Sequence, residues 1–192
     1  IHTVYLSHDD TFALSGSGDG TVVVWDVATG NRLLTFDKHH GSIRHVTMNA
    51  DETQVLSAST DGLVMLWDVK TGEIIKTFRG HMGTVEKALF VFDEQYIISA
   101  GLDKTMILWN IETEKPVRIF HGHEDRIWDF ALTGDGLKIL SASRTGTLIV
   151  SRIDTLEELK TWILDNRFIQ ALSCDTRSQY RIEPLCEVTH EE

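Results

Sequence analysis

Proline and cysteine are both scarce in this chain of 192 residues, which contains two of each. So little proline excludes a collagen-like or proline-rich architecture. Two cysteines, Cys174 and Cys186, are too few for a disulfide scaffold and favour a reducing compartment. No uninterrupted apolar run, such as Ala88 to Phe92, exceeds five residues, whereas a bilayer-spanning helix needs ~20. The sequence therefore predicts no membrane insertion.

Basic residues are too few for electrostatic binding to nucleic acid. The chain has 18 lysines and arginines against 29 aspartates and glutamates, a formal net charge of −11. Proteins that bind nucleic acid or anionic membranes need an excess of positive charge on one face. With 42% hydrophobic residues, the composition is that of a soluble globular protein, and we expect it in the cytoplasm or the nucleus. Because the chain begins with Ile1 rather than methionine, we also expect a longer native polypeptide.

The dominant feature of the sequence is a repeat with a period of 42 residues. Residues of one type recur at this interval in five series: Trp25, Trp67 and Trp109; Asp19, Asp61 and Asp103; Ser15, Ser57, Ser99 and Ser141; His39, His81 and His123; and the aromatic series Phe36, Phe78, Phe120 and Trp162. A period of about 40 to 45 residues is typical of stacked propeller units. The repeats span 1–42, 43–84, 85–126 and 127–168. A partial fifth and a polar tail fill 169–192, where Ile169, Leu172 and Cys174 resume the first-strand spacing.

Each repeat is predicted to form four short strands. In the second repeat they fall at 43–48, 55–59, 63–67 and 74–78. An extra residue interrupts the alternation of the first strand and indicates a β-bulge. Asp61-Gly62 is a strong signal for a tight hairpin, since glycine accepts a positive φ at little cost. Four antiparallel strands form one propeller blade, so the predicted fold is all-β, with no long helix.

These motifs resemble those of the WD-repeat β-propeller family over about residues 1–174. The resemblance is carried by Trp25-Asp26, Trp67-Asp68, Trp109-Asn110, the Ser-x-Ser-x-Asp-Gly segments at 15–20 and 57–62, Gly80-His81 and Gly122-His123. Members of the family close with about seven or eight blades. The resemblance thus implies that this chain is an arc of a larger ring, which the remaining blades or another chain would complete.

The resemblance also implies a buried hydrogen-bonded tetrad of histidine, serine, aspartate and tryptophan in each blade. Two tetrads are complete, namely His39, Ser57, Asp61 and Trp67, and His81, Ser99, Asp103 and Trp109. The first repeat retains Ser15, Asp19 and Trp25. The fourth retains His123 and Ser141 but has Thr145 in place of aspartate and Ser151 in place of tryptophan. We therefore expect this degenerate blade 4 to be the least stable.

The recurring serine, histidine and aspartate are not interpreted as catalytic. A hydrolase nucleophile must be exposed in a cleft, whereas these residues fall at strand positions that blades bury. Three of the nine histidines occupy the tetrad position, and no cysteine or carboxylate joins the others at zinc spacing. We predict no catalytic residue, no metal site and no cofactor.

Candidate binding residues occupy repeat positions at which the type of side chain differs from blade to blade. In the family these positions lie near the rim of the upper face of the ring. Tryptophan beside arginine is typical of interface hot spots. Trp128, Arg144 and Arg126 are therefore the leading candidates, followed by Arg44 and Glu86. In the alternative interpretation, Trp128 packs sideways against the neighbouring blade.

Two functions are compatible with this sequence. The first is a non-catalytic WD-repeat scaffold that mediates protein–protein interactions within an intracellular complex. The second is a regulatory or sensor propeller region of a larger NACHT- or NB-ARC-type NTPase, a hypothesis that rests on family analogy alone. A phosphate-binding motif upstream of Ile1 would distinguish the second from the first.

Overall fold

The computed structural model describes residues 1–153, which form strands joined by turns. Trp162, both cysteines and the predicted partial fifth blade at 169–192 lie outside the described residues. No helix in the described part of the chain is long and apolar enough to cross a membrane.

The strands form four antiparallel sheets, each a blade. Blade 1 contains β1 (Thr3–Leu6), β2 (Phe12–Gly16), β3 (Val22–Asp26) and β4 (Arg32–Phe36). Blade 2 contains β5 (Ile43–Met48), β6 (Gln54–Ser59), β7 (Leu63–Asp68) and β8 (Ile74–Arg79). Blade 3 contains β9 (Val85–Val91), β10 (Tyr96–Gly101), β11 (Met106–Asn110) and β12 (Pro116–Phe120). Within 1–153, blade 4 contains β13 (Ile127–Leu132), β14 (Lys138–Ser143) and β15 (Leu148–Arg152). The prediction of an all-β fold built from antiparallel blades is confirmed.

The bulge predicted in the first strand is present in blades 2, 3 and 4. In blade 2, Ile43 pairs with Ser59 and His45 with Ala58, so the residue between them has no partner across the ladder. The unpaired residues are Arg44, Glu86 and Trp128 in the three blades. A bulge bends its strand and redirects a side chain, which explains why this position can vary without disturbing the sheet.

The core lies between adjacent blades. Three buried clusters join blade 1 to blade 2, blade 2 to blade 3 and blade 3 to blade 4. In the first cluster, Leu14 and Phe36 of blade 1 pack with Val46 and Trp67 of blade 2. Each blade therefore buries its apolar faces against its neighbours, because a single sheet four strands wide cannot bury them alone.

Within residues 1–153, the arc of blades is open at both ends. Val4 on β1 is 73% exposed, whereas Val46, one repeat later, is 2% exposed because blade 1 covers it. At the other end Val150 on β15 is 65% exposed, whereas Leu108 at the same repeat position is 1% exposed. The sheets thus leave one apolar face uncovered on the first blade and the opposite face uncovered on the last described blade.

Candidate functional site

The tetrad residues of blade 2 form one continuous chain of hydrogen bonds. His39 Nδ1 lies 2.8 Å from Asp61 Oδ2, and His39 Nε2 lies 2.8 Å from Ser57 Oγ. The indole Nε1 of Trp67 donates to the same serine oxygen at 2.8 Å. Each polar group thus has a partner in a site where an unpaired one would cost ~1–3 kcal/mol.

Blade 3 repeats this geometry. His81 Nδ1 lies 2.8 Å from Asp103 Oδ2, and His81 Nε2 lies 2.8 Å from Ser99 Oγ, which accepts a 2.8 Å bond from Trp109 Nε1. Burial raises the pKa of the Asp103 carboxyl, but the hydrogen bonds and the charge of His81 outweigh it and hold that pKa well below its ordinary value. The pKa of Asp61 is likewise lowered, since the bonds from His39 outweigh the effect of burial.

The tetrads have the arrangement of structural groups rather than of a catalytic triad. Ser57 and Ser99 are fully buried. Their hydroxyl oxygens already accept the indole N–H bonds, so no substrate carbonyl can approach them. Within residues 1–153, no three side chains of histidine, cysteine, aspartate or glutamate lie close enough together to hold a metal ion.

In blade 1 the structure brings together only part of the tetrad. Trp25 Nε1 donates to Ser15 Oγ at 2.7 Å. Asp19 is exposed and accepts bonds from the hydroxyl and the amide of Thr21, which lower the pKa of its carboxyl. The guanidinium of Arg32 lies 5.1 Å from the centre of the Trp25 ring, which is only half-buried.

The fourth tetrad keeps its histidine and serine but lacks the aspartate and the tryptophan. His123 Nε2 lies 2.7 Å from Ser141 Oγ, as in blades 2 and 3. His123 Nδ1 is buried and has no hydrogen-bond partner. Thr145, at the aspartate position, bonds instead to Ser143 and Thr147 at 3.0 and 3.4 Å. Without a carboxylate beside it, burial lowers the pKa of His123 below its ordinary value.

Arg44 and Glu86 contact each other across two blades. Arg44 Nε lies 2.8 Å from Glu86 Oε2, and the glutamate side chain is buried. Both charges are therefore satisfied within the chain, which makes these residues less suited to binding a partner than their sequence positions indicated. The sequence positions of Arg44 and Glu86 indicated two separate candidates and did not predict this ion pair.

Arg126, Trp128 and Arg144 lie together at the edge of blade 4; we call them the Arg–Trp surface. The guanidinium of Arg126 stacks 4.1 Å from the centre of the Trp128 ring. Trp128 is 41% exposed and Arg144 is exposed, so the indole is not packed away against the neighbouring blade. The amide of Arg144 donates to the carbonyl of Arg126 at 3.0 Å, which fixes the spacing of the two arginines.

Two apolar residues of blade 3 were missed as candidates. Leu102 occupies the repeat position of Arg144, and its amide donates to Thr84 as that of Arg144 does to Arg126. Met82, which follows the tetrad histidine of blade 3, is 92% exposed. The signal that could have found Met82 is an apolar residue at a position that holds His40 and Glu124 in the adjacent repeats.

The open arc of blades with this hydrogen-bonded frame defines a β-propeller repeat protein. The family model of the WD domain, G-beta repeat, matches the chain four times, at residues 1–26, 30–68, 72–110 and 114–150. The chain therefore belongs to the WD-repeat family, as the resemblance predicted. The first matched unit covers β1, β2 and β3 of blade 1, and each of the other three begins with the fourth strand of one blade and ends in the third strand of the next. No curated protein is similar enough to this chain to count as a relative.

Proposed function

We propose that this chain is a non-catalytic scaffold that binds another protein or peptide through the Arg–Trp surface, within an assembly in the cytoplasm. WD repeats are generally protein–protein interaction scaffolds. The observation that carries the proposal is the geometry of Arg126, Trp128 and Arg144: a partly exposed indole stacks on the guanidinium of Arg126, and the exposed Arg144 is bonded through its backbone to Arg126. Such a group offers a stiff apolar surface together with planar hydrogen-bond donors.

Among residues 1–153, no carboxylate forms an ion pair with the arginines of this surface. Within residues 1–153, carboxylates pair with Arg44, Lys76 and Lys87, whereas none lies within ion-pair distance of Arg126 or Arg144. The chain as a whole has a formal charge of −11. Two unpaired arginines therefore stand out on an acidic molecule and favour a partner segment that carries a carboxylate beside an apolar side chain.

Replacing Trp128 and Arg144 together with alanine is expected to weaken partner capture at least tenfold, about 1.4 kcal/mol. The reason is the loss of the aromatic contact and of one unpaired cation. The measurement is quantified recovery of partners from native lysate on immobilised chain, with circular dichroism to monitor the fold.

The matched control replaces Arg79 and Leu33 with alanine, an exposed arginine and an exposed apolar residue on outer strands. Recovery by this control should equal that of the unmodified chain. Equal recovery by the Trp128 and Arg144 variant with its circular dichroism unchanged would contradict the proposal. A collapsed fold would show that Trp128 belongs to the core.

The two open faces support a second part of the proposal, that further blades or another chain complete the ring. Ile1, Val4 and Leu6 on the first blade remain uncovered, while their equivalents Ile43 and Val46 are buried. Leu148 and Val150 are uncovered on the opposite face of the last described blade. Each end of the arc thus exposes an apolar face that the interior blades bury against a neighbour. Terminal repeats expose such faces when nothing caps them.

A polypeptide of these 192 residues alone is expected to self-associate through its open faces. Replacing Val4 and Leu6 with lysine should weaken the association constant at least tenfold, since it places two charges on the face to be buried. Sedimentation velocity over a concentration series measures this. Leu33→Lys, an exposed outer-strand position, is the control and should associate like the unmodified chain. A monomer at every concentration would contradict the expectation.

A further inference from the structure

Blade 4 lacks one anionic oxygen that blades 2 and 3 both have. In blade 2, Asp61 Oδ2 accepts two bonds, from His39 Nδ1 at 2.8 Å and from the amide of His40 at 3.0 Å. In blade 3, Asp103 Oδ2 accepts the equivalent bonds from His81 Nδ1 and from the amide of Met82. A single carboxylate oxygen thus joins the histidine ring and the next backbone amide in each complete tetrad.

Thr145 replaces only the other oxygen of that carboxylate. In blade 3, Asp103 Oδ1 bonds to the hydroxyl of Thr105 at 2.8 Å. Thr145 Oγ1 makes the corresponding contact with the hydroxyl of Thr147 at 3.4 Å. No atom of the described residues takes the place of Oδ2, and His123 Nδ1 is left buried and unpaired.

We propose that Thr145 is a phosphorylation site, and that its phosphate supplies the missing oxygen. On a separate protein kinase, Thr145 Oγ1 attacks the γ-phosphorus of ATP and forms the new P–O bond. The bond from that phosphorus to the bridging oxygen breaks, ADP leaves, and the hydroxyl proton passes to the base of the kinase. The product carries about −1.5 to −2 charges and three acceptor oxygens, and His123 Nδ1, which has no hydrogen-bond partner, can donate to one of them when it carries the ring proton.

The surroundings of Thr145 suit both the reaction and its product. Residues 144–147, the turn between β14 and β15, are exposed, so a kinase can reach the hydroxyl. Arg144 is the preceding residue, and its backbone amide donates to the carbonyl of Arg126, so the backbones of two arginines meet at this turn, as suits an anionic product. The phosphate oxygens of phosphothreonine are one bond farther from Cβ than the carboxylate oxygens of aspartate. A phosphate on the exposed Thr145 can therefore extend farther towards the buried histidine ring than an aspartate at the same position. The proposal rests on the tetrad geometry and not on the proposed function, although Arg126 and Arg144 also belong to the Arg–Trp surface.

The first test asks whether the site is used. The chain of 192 residues is incubated with ATP and a cytosolic extract containing phosphatase inhibitors, and the modified residues are then identified by mass spectrometry. Phosphate on Thr145 is expected, and Thr145→Val should remove that signal. The absence of phosphate from Thr145 would overturn the proposal.

The second test asks whether the phosphate joins the tetrad. Phosphothreonine is incorporated at position 145 during synthesis and, as a matched control, at position 147 of the same turn. The modification at 145 is expected to raise the unfolding midpoint by about 2 °C or more and to shift the ¹⁵N resonance of His123 Nδ1. The gain should vanish in His123→Gln, and Thr145→Asp should reproduce it in the unmodified chain.

Each outcome of the second test either supports or overturns the proposal that the phosphate joins the tetrad. An equal gain at 145 and 147, or a gain that persists in His123→Gln, would show a general effect of charge and overturn the proposal. Stabilisation by Thr145→Asp without any by the phosphate would also overturn it, because the site would then accept only the shorter carboxylate.

Discussion

Trp67→Ala is expected to lower the free energy of unfolding by ~3–5 kcal/mol. The Trp67 ring is 1% exposed and lies with its centre 5.1 Å from that of Phe36 in the neighbouring blade. Its removal leaves a cavity between blades 1 and 2. It also deprives Ser57 Oγ of the indole donor at 2.8 Å. The measurement is equilibrium unfolding in urea, with the midpoint and the slope both compared with those of the unmodified chain.

Two control variants separate the causes of this loss. Ser151→Ala changes the residue that blade 4 carries at the tryptophan position, where Ser151 pairs with Ile139 as Trp67 pairs with Val55. It should cost no more than about 0.5 kcal/mol. Trp67→Phe keeps most of the ring but removes the N–H donor, so its cost should lie between the other two. Equal midpoints for Trp67→Ala and Ser151→Ala would show that the tetrad does not support blade 2.

The frame of the blades could be predicted because the repeat keeps its period without insertion or deletion. The interval of 42 residues aligns Ser57 with Ser99 and Trp67 with Trp109. Residues that share a repeat position share a strand, a register and a face, so both hydrogen-bonded sets have the same geometry. The local signals agree with this alignment, since Gly20 and Gly62 in the second turn of their blades both have positive φ angles.

Contacts between blades could not be predicted in the same way. Arg44 and Glu86 are bulge residues on two different strands, and their 2.8 Å ion pair depends on how adjacent sheets are turned towards each other. Lys87 and Asp129, one position later in the repeat, form a second pair at 2.7 Å for the same reason. The repeat period shows which residues occupy equivalent positions in successive blades. It does not show how far apart the side chains of two adjacent blades are.

The exposure of Trp128 could not be predicted from the sequence, because it depends on the three-dimensional surroundings of the ring. The sequence left open whether this indole packed against the next blade or faced outward. The bulge at Trp128 turns the side chain away from the ladder, and Arg126 covers one face of the ring. Neither the bulge direction nor the stack follows from composition or spacing, because both are set by the backbone of β13.

Lowering the pH from 6.5 to 4.5 is expected to destabilise the chain through His45. Burial and then the positive charge of Lys87 lower the pKa of this imidazole from 6.5 to about 4, against smaller opposing effects of Asp129 and of a backbone hydrogen bond at Ala88. His45 Nδ1 is buried and has no hydrogen-bond partner, so the folded chain holds the neutral ring. Below pH 6.5 the unfolded chain therefore binds a proton that the folded chain does not bind until about pH 4.

The stability that His45 contributes is thus fully present above pH 6.5 and decreases as the pH falls towards about 4. At ~1.4 kcal/mol per pH unit, the loss between pH 6.5 and pH 4.5 reaches at most ~3 kcal/mol. Urea unfolding at intervals of half a pH unit measures it, and His45→Gln should flatten the curve. His40→Gln, at an exposed position, is the control and should keep the slope. The measurement stays above pH 4.5 so that the tetrad aspartates do not titrate during it. Their pKa values are lowered in the folded chain, so the stability they contribute is lost only as the pH falls below the ordinary pKa of an aspartate. An unchanged slope in His45→Gln would assign the acid sensitivity to another group, and His123, whose pKa burial also lowers, would be the next residue to replace.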